Sequence, residues 1–289
     1  MASLYLFIGA GAATSESLSP SAPAPQLLDC PLSPEDPDLQ DGLRRVVARL
    51  GLMEDAARGR LGIALVDLSR SGQMRAATIN GDQMFYAASL PKIAIMLAAF
   101  EASAQGQIKL TPRRYRRVAQ MIRSSDNAAA TAVLDRVGFA KVASTLQADA
   151  YRLYEPRLGG GLWVGKAYAE DRYWHRDPMA GLSHAATPRQ AARFFVLLDQ
   201  GKLVSEVASA EMKRLLADSE IHHKFVRGLD KRPGASIYRK SGTWHDFHAD
   251  AALVVRPDAR YVAVGLVESR HGEEILQRLI VALDDLVCG

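Results

Sequence analysis

A serine and a lysine three residues apart open a strongly apolar helical stretch. Ser89, Leu90, Pro91 and Lys92 precede the apolar run Ile93–Phe100. Proline is tolerated in the first turn of a helix, so Pro91 predicts a helix start within a residue or two. We expect the Ser89 side chain to cap this helix, where a hydroxyl feels the positive end of the helix dipole. Lys92 falls on the same face and can take the hydroxyl proton. The pair indicates a serine nucleophile with its own base.

Two further motifs carry the hydroxyl, amide and ammonium groups that such a nucleophile needs. They are Ser125, Asp126 and Asn127, at a break between two helical segments, and Lys240, Ser241, Gly242 and Thr243, in a strand-like segment. Each motif alone is short enough to arise by chance. Their order along the chain, and the type of element on which each falls, make the functional interpretation much stronger than a chance match.

The elements that must position these motifs follow from hydrophobic periodicity. Two short strands are predicted early and three late, and a block of helices lies between them. The late strands are Ser236–Trp244, His248–Arg256 and Tyr261–Glu268, followed by a closing helix over Glu273–Val287. This pattern predicts an α+β fold, in which an antiparallel sheet flanked by terminal helices carries an inserted all-helical lobe. We expect the active site in the cleft between the two parts.

The predicted domain organisation is a leader followed by one catalytic domain. Residues 1–37 combine a signal-like apolar start with a Ser-, Pro- and Ala-rich linker, which predicts export to the periplasm or outside the cell. Residues 38–289 form the catalytic domain, with an α/β lobe at 38–85 and 201–289 and a helical lobe at 86–200. A bond between Cys30 and Cys288 is possible in an exported protein.

Composition excludes several other classes of function. Of 289 residues, 48% are hydrophobic and 24% charged, as in ordinary globular proteins. The formal charge of +4 is spread along the chain, which argues against a nucleic-acid partner. No apolar run is long enough to span a membrane. His222, His223, His245 and His248 lack a third ligand at a recognisable spacing, so we expect neither a metal nor another cofactor. We expect a monomer.

The three motifs in this order resemble those of the serine β-lactamase and DD-peptidase superfamily, and most closely class A β-lactamases. The resemblance spans the chain from about Asp38 to Val287. It implies an acyl-enzyme hydrolase that acts on a β-lactam or on a peptide similar to those of peptidoglycan. Slow deacylation, as in a DD-peptidase, esterase or β-lactam sensor, is the alternative. A cell-wall or polyanion-binding protein that uses the basic run from Arg113 to Arg117 is the alternative outside enzymes.

The resemblance also implies a role for each motif residue. Ser89 attacks the carbonyl, Lys92 relays its proton, Ser125 passes a proton to the leaving nitrogen, and Lys240 keeps the local field positive. Asn127 holds the amide side chain of the substrate. Lys240, Ser241 and Thr243 receive the substrate carboxylate, and Gly242 belongs to the same binding strand. Backbone N–H groups of Ser89 and Thr243 form the oxyanion hole.

The deacylating residue is left open by the sequence. Class A β-lactamases use a glutamate in a Glu-Pro-x-Leu-Asn loop, and Glu155-Pro156-Arg157-Leu158 resembles it, although Gly159 replaces the asparagine. Counting back from Thr187 and Pro188 instead points to Glu170 or Asp171. If none of these carboxylates is positioned beside the nucleophile, the acyl-enzyme persists.

Overall fold

The computed structural model describes residues 35–70 and 73–289. Within these residues lie ten helices, ten strands and a 3₁₀ turn at Pro156–Leu158. The helices are α1 (Pro37–Arg49), α2 (Met53–Ala57), α3 (Lys92–Ala104), α4 (Pro112–Arg123), α5 (Asn127–Val137), α6 (Phe139–Gln147), α7 (Pro188–Asp199), α8 (Glu206–Ala217), α9 (Phe225–Leu229) and α10 (Gly272–Cys288). The strands are β1 (Leu61–Arg70), β2 (Gln73–Ile79), β3 (Phe85–Tyr86), β4 (Tyr154–Glu155), β5 (Gly160–Gly161), β6 (Trp163–Val164), β7 (His184–Ala186), β8 (Ser236–Trp244), β9 (Phe247–Val255) and β10 (Arg260–Glu268).

The predicted α+β architecture is confirmed. Two strands from the beginning of the chain and three from its end form one antiparallel sheet in the order β2-β1-β10-β9-β8. Its two outer strands are β2 and β8, so one edge of β8 has no strand beside it within this sheet. Because β8 carries the Lys-Ser-Gly motif, the topology leaves that edge open to the helices that contain the other two motifs.

Both faces of the sheet are buried, which explains the continuous apolar runs in its central strands. Along β1, Ile63 and Leu65 belong to one apolar core, with residues of α1 and α10. Ala64 and Val66 belong to the other core, with residues of α3 and α7. Successive side chains of a strand point to opposite faces, so one strand supplies both cores.

Polar side chains cap the helices that position the site. The side chains of Thr111, Thr187 and Ser205 accept hydrogen bonds from backbone N–H groups at the starts of α4, α7 and α8. Asp126 does the same for α5, accepting from Ala129 N at 2.5 Å. Such caps satisfy N–H groups that have no partner inside the helix.

The segment from Tyr151 to Ala186, which has no regular periodicity, forms short strands and turns. β7 pairs with β6 and with β3, so that Tyr86 lies opposite Ala185, directly before the Ser89 turn. The buried Asp177 carboxylate holds one of its turns, accepting from the backbone N–H groups of Met179, Ala180 and Leu182. This segment forms a wall next to the first motif.

Some sequence predictions fall outside the described residues. The leader up to residue 34, including Cys30, lies there, so the bond to Cys288 stays a prediction. The proposed lobe boundaries and the monomeric state stay predictions as well. Among the described residues, no helix is long and apolar enough to cross a membrane.

Candidate active site

Ser89 lies in a turn before α3 and does not cap it, contrary to the sequence prediction. The helix begins at Lys92, with Pro91 at the cap position and no side-chain cap. The reason is a tight turn that satisfies the first N–H groups with backbone carbonyls: Lys92 N donates to Ser89 O at 3.2 Å, and Ala94 N to Pro91 O at 2.9 Å. The Ser89 hydroxyl is therefore not needed to hold the helix, and it lies half-buried at the lining of a cavity.

The residue before the nucleophile has an unusual backbone. Ala88 has φ +47°, a left-handed conformation that is uncommon for residues other than glycine. The Tyr168 hydroxyl donates to Ala88 O at 3.2 Å, which helps to fix this peptide group. Within the described residues no backbone acceptor is paired with the Ser89 N–H, so this group is available to an oxyanion.

The Lys92 ammonium is buried behind this turn. Its Nζ donates to Ser125 O at 2.5 Å and to Asn127 Oδ1 at 2.7 Å, and lies 4.5 Å from the centre of the Tyr168 ring. Burial lowers the pKa of Lys92 to about 7, and the nearby charge of Asp126 opposes the shift. A large fraction of Lys92 is thus neutral near neutral pH, as a general base must be.

Ser125 connects the lysines of the first and third motifs. Its Oγ accepts from Lys240 Nζ at 2.8 Å and lies 3.4 Å from Lys92 Nζ. Ser125 has φ +58°, which fits its place in the short break between α4 and α5. Burial lowers the pKa of Lys240 well below its usual value, and the charge of Lys92 adds to the effect. One hydroxyl between two lysines of lowered pKa can pass a proton in either direction.

The third motif packs directly against the Ser89 turn. A Cβ placed on Gly242 would lie 2.3 Å from Ala87 O and 2.6 Å from Ser89 N, closer than any side chain permits. Next to it, Ser241 is buried, with its carbonyl oxygen accepting from Lys240 Nζ at 2.8 Å, and Thr243 lines the cavity. The glycine of the motif therefore allows the edge strand to approach the nucleophile.

A buried lysine that sequence analysis missed supports Thr243. Lys224 Nζ donates to Thr243 Oγ1 at 2.8 Å, to Gly242 O at 2.6 Å and to Ala249 O at 3.2 Å. Burial lowers the pKa of Lys224 to about 8. The segment before α9 is held by a fully buried ion pair between Arg239 and Asp250, at 2.7 Å.

That ion pair reaches the Lys224 segment through specific contacts. Arg239 donates to Ser219 Oγ and Ile221 O, and Asp250 accepts from Phe225 N at 3.1 Å. Arg239 lies on β8, which carries the third motif, and Asp250 lies on the neighbouring strand β9. The sequence signal for this ion pair is weak: it consists of one arginine and one aspartate, each within a predicted strand.

The cavity at the nucleophile has a volume of about 320 Å³. Its lining combines motif residues with aromatic and polar side chains of the neighbouring segments. The lining residues are Tyr86, Ala88, Ser89, Asn127, Lys166, Ala167, Tyr168, Tyr173, Ser183, His184, Thr243 and Trp244. Within the described chain, this lining includes no aspartate or glutamate. A larger open groove of about 990 Å³, between β2 and the end of α7, contains none of the motif residues.

The three carboxylates considered for deacylation lie elsewhere. Glu155 accepts from Arg157 N at 3.3 Å and lies 3.5 Å from the Arg152 guanidinium. Glu170 pairs with Arg172 at 3.3 Å, and Asp171 pairs with Lys166 at 2.5 Å while remaining 86% exposed. No described carboxylate forms an ion pair with Lys92, whose neighbours are instead Ser125, Asn127 and the Tyr168 ring.

Three of the four histidines noted in the sequence have other neighbours. His222 Nε2 lies 2.7 Å from Asp230 Oδ1, and His223 Nδ1 lies 3.2 Å from the Arg239 guanidinium. His245 stands edge-on to Trp244. In residues 35–70 and 73–289, no group of three or more histidine, cysteine, aspartate or glutamate side chains is arranged to hold a metal ion.

Comparison with known proteins identifies the family of the chain. The family model described as the β-lactamase enzyme family matches residues 42–118 and 116–286. The chain belongs to the β-lactamase enzyme family. Membership in this family makes it a β-lactamase-like hydrolase. A search among curated proteins finds no match.

Solved structures share the fold at low sequence identity. PBP-A is 22% identical, with 87% of this chain and 97% of that chain covered and a TM-score of 0.66. A β-lactamase from Sphaerobacter thermophilus DSM 20745 is 20% identical, with 86% and 97% covered and a TM-score of 0.66. One from Xanthomonas campestris pv. campestris str. ATCC 33913 is 19% identical, with 86% and 98% covered and a TM-score of 0.65. These likenesses show the β-lactamase fold.

Proposed function

We propose that the protein is a penicillin-binding serine hydrolase whose Ser89 is acylated by β-lactams and related peptides, and whose acyl-enzyme is hydrolysed slowly. The observation that carries this proposal is the pairing of an intact acylation apparatus with a cavity lining free of carboxylates among the described residues. The similar protein PBP-A has been solved, as a variant, in an acyl-enzyme complex with penicillin G, which supports acylation on this fold.

In the proposed acylation, the neutral Lys92 amine removes the Ser89 proton, directly or through Ser125, as Ser89 Oγ attacks the carbonyl carbon. The backbone N–H groups of Ser89 and Thr243 stabilise the negative oxygen of the tetrahedral intermediate. The C–N bond then breaks, and the proton reaches the leaving nitrogen through Ser125. A new ester joins Ser89 Oγ to the acyl carbon, and Lys92 returns to its neutral form.

Substrate orientation comes from the groups around this centre. The Asn127 side chain, which lines the cavity, binds the amide of the acyl side chain. Ser241, Thr243 and the positive field of Lys240 receive the carboxylate of the substrate. Lys224 holds the Thr243 hydroxyl in place from below the strand. The nucleophile with its base, the proton relay and the anion site thus come from three separate parts of the chain.

Slow hydrolysis follows from what surrounds Lys92. The sequence favoured a class A-like β-lactamase, in which a carboxylate and a bound water remove the acyl group. In this protein the Tyr168 ring lies over Lys92, and Glu155 is engaged by Arg152 and by the backbone of its own turn. Without a carboxylate beside the ester, water attack lacks the carboxylate base that a class A-like β-lactamase uses. The proposed substrates also agree with the export predicted from the leader.

Labelling with a fluorescent penicillin tests this proposal. The wild-type protein and a Ser144→Ala control should be labelled, because the exposed Ser144 contacts only the Lys141 carbonyl among the described residues. Ser89→Ala should not be labelled, while its circular dichroism spectrum and melting temperature match those of the wild type. Labelling of Ser89→Ala at the wild-type rate would contradict the proposal.

A further inference from the structure

Two exposed aromatic side chains line the cavity. Tyr173 is 51% exposed and Trp244 is 56% exposed, and both line the cavity. Trp244 ends β8, whereas Tyr173 lies in the segment between β6 and β7, so the two rings come from separate parts of the chain. Large apolar side chains that stay exposed at a cavity often mark a binding surface.

Other aromatic rings of the cavity lining pack against one another and against neighbouring rings. The Tyr86 ring packs edge-on against Phe247, with ring centres 5.3 Å apart, and against His184 at 6.2 Å. His184 in turn packs on the Tyr168 ring at 4.2 Å. Burial lowers the pKa of His184 to about 4, so this imidazole is neutral at neutral pH. The cavity therefore offers a preformed apolar surface beside the nucleophile.

One cation lines this aromatic surface. Lys166 Nζ lies 4.7 Å from the centre of the Tyr173 ring, and its carboxylate partner, Asp171, is 86% exposed and does not line the cavity. Ion pairs with so exposed a carboxylate are weak because water screens them. The Asp171 contact raises the pKa of Lys166, which stays charged at neutral pH. The remaining ammonium protons can bind an anion inside the cavity.

We propose that Tyr86, Lys166, Tyr173 and Trp244 form a side-chain subsite that selects acyl groups combining an aromatic ring with a negative charge. The rings of Tyr173 and Trp244 enclose the aromatic ring of the substrate, and Lys166 pairs with its anionic substituent. The subsite rests on the proposed function, since its ligand is the acyl group transferred to Ser89. It gives the substrate class: acyl donors with an acidic aromatic side chain next to the reacting carbonyl.

Three penicillins that differ at one side-chain carbon test the charge preference. Benzylpenicillin carries a neutral methylene beside its phenyl ring, carbenicillin carries a carboxylate there, and ampicillin carries an ammonium group. The second-order rate constant for acylation of Ser89 is measured with each drug by intact mass spectrometry. We expect the rate constant for carbenicillin to exceed that for ampicillin by roughly tenfold, because a partly exposed charge contact has an effect of this size.

Variants then separate the charge from the aromatic contribution. Lys166→Gln should bring the acylation rate constants of carbenicillin and ampicillin within about twofold of each other. Lys141→Gln changes a half-buried lysine outside the cavity lining, which donates to Gln105, and should leave the ratio of the two rate constants unchanged. Trp244→Ala and Tyr173→Ala should slow acylation by benzylpenicillin about tenfold. In the same two variants, the rate of acylation by 6-aminopenicillanic acid, which lacks the side chain, should stay within about twofold of the wild-type rate.

The outcomes distinguish this subsite from the proposed function. If all the drugs acylate Ser89 but Lys166→Gln does not change the ratio of the carbenicillin and ampicillin rate constants, the charge preference is overturned. The proposed acylation chemistry would still stand. Equal losses for benzylpenicillin and 6-aminopenicillanic acid in Trp244→Ala and Tyr173→Ala would overturn the aromatic part. No acylation by any of the drugs, 6-aminopenicillanic acid included, would overturn the proposed function and the subsite with it.

Discussion

Gly242 on the edge strand packs against the backbone of Ser89 so closely that a Cβ on the glycine would lie 2.6 Å from Ser89 N. The same atom would lie 2.3 Å from Ala87 O. Both neighbours are backbone atoms, which cannot turn aside as the end of a flexible side chain can. The distance between the edge strand and the nucleophile turn is therefore set by the absence of a side chain at Gly242.

Gly242→Ala should lower the rate of acylation by benzylpenicillin at least about a hundredfold, because a displacement near 1 Å at the nucleophile has effects of this size. The overpacking should also cost about 1–3 kcal/mol of stability. Gly106→Ala provides the control. Gly106 has φ +71° and open space around it, so the change strains the backbone without touching Ser89. Equal acylation rates for the two variants would contradict this account.

Acylation should depend on pH through Lys92, whose pKa is lowered to about 7. The neutral amine is the active form, so the rate should rise about tenfold per pH unit below 7 and level off above it. Asp126→Asn keeps a residue able to cap α5 but removes the charge that raises the pKa of Lys92. The inflection of the rate profile, measured between pH 5 and 9, should then move to lower pH. An inflection that does not move would argue against Lys92 as the base.

Ser125→Ala should slow acylation by roughly 10²–10⁴-fold, the range typical of a lost acid–base group. The hydroxyl of Ser125 is the group placed between Lys240 and Lys92. The neighbouring Ser124 is exposed and donates to Gln120 O at 2.9 Å. Ser124→Ala should therefore retain the wild-type rate. Rates measured with a chromogenic cephalosporin compare the two, and similar losses in both would refute the role of Ser125.

Charge-removing variants of the three loop carboxylates should leave the lifetime of the acyl-enzyme within about twofold of the wild type, since none is placed to act as its general base. The variants are Glu155→Gln, Glu170→Gln and Asp171→Asn. Each protein is acylated, freed of excess penicillin by gel filtration, and followed by mass spectrometry as the adduct decays. A lifetime lengthened tenfold or more by one of these changes would identify that carboxylate as the deacylating base.

The three motifs and the α+β fold were predictable because each rests on local signals. The strand periodicity and the break between helices at Ser125, Asp126 and Asn127 are visible in short windows. The capping role of Ser89 was wrong because backbone carbonyls of the preceding turn satisfy the first N–H groups of α3. The two kinds of helix start differ by only a residue or two in the position of the first helical residue. Sequence patterns do not locate helix ends that accurately.

Lys224 and Tyr168 could not be predicted because long-range contacts place them. Lys224 donates to Thr243 Oγ1, and its neighbour Phe225 donates to Asp250 of the buried ion pair with Arg239. Tyr168 lies in a segment without periodicity, and its backbone N–H is held by Thr131 Oγ1 on α5 at 3.1 Å. The same segment contains the candidate carboxylates, so sequence alone left the deacylating residue open.

Time-resolved intact mass spectrometry of the protein with a small excess of benzylpenicillin tests the central claim most directly. We expect the mass of one penicillin to be added, at Ser89, and the adduct to persist for hours after the free drug is removed. An adduct that disappears within seconds while hydrolysed penicillin accumulates would contradict slow deacylation and indicate a β-lactamase. The absence of any adduct or hydrolysed drug would contradict the acylation of Ser89 itself.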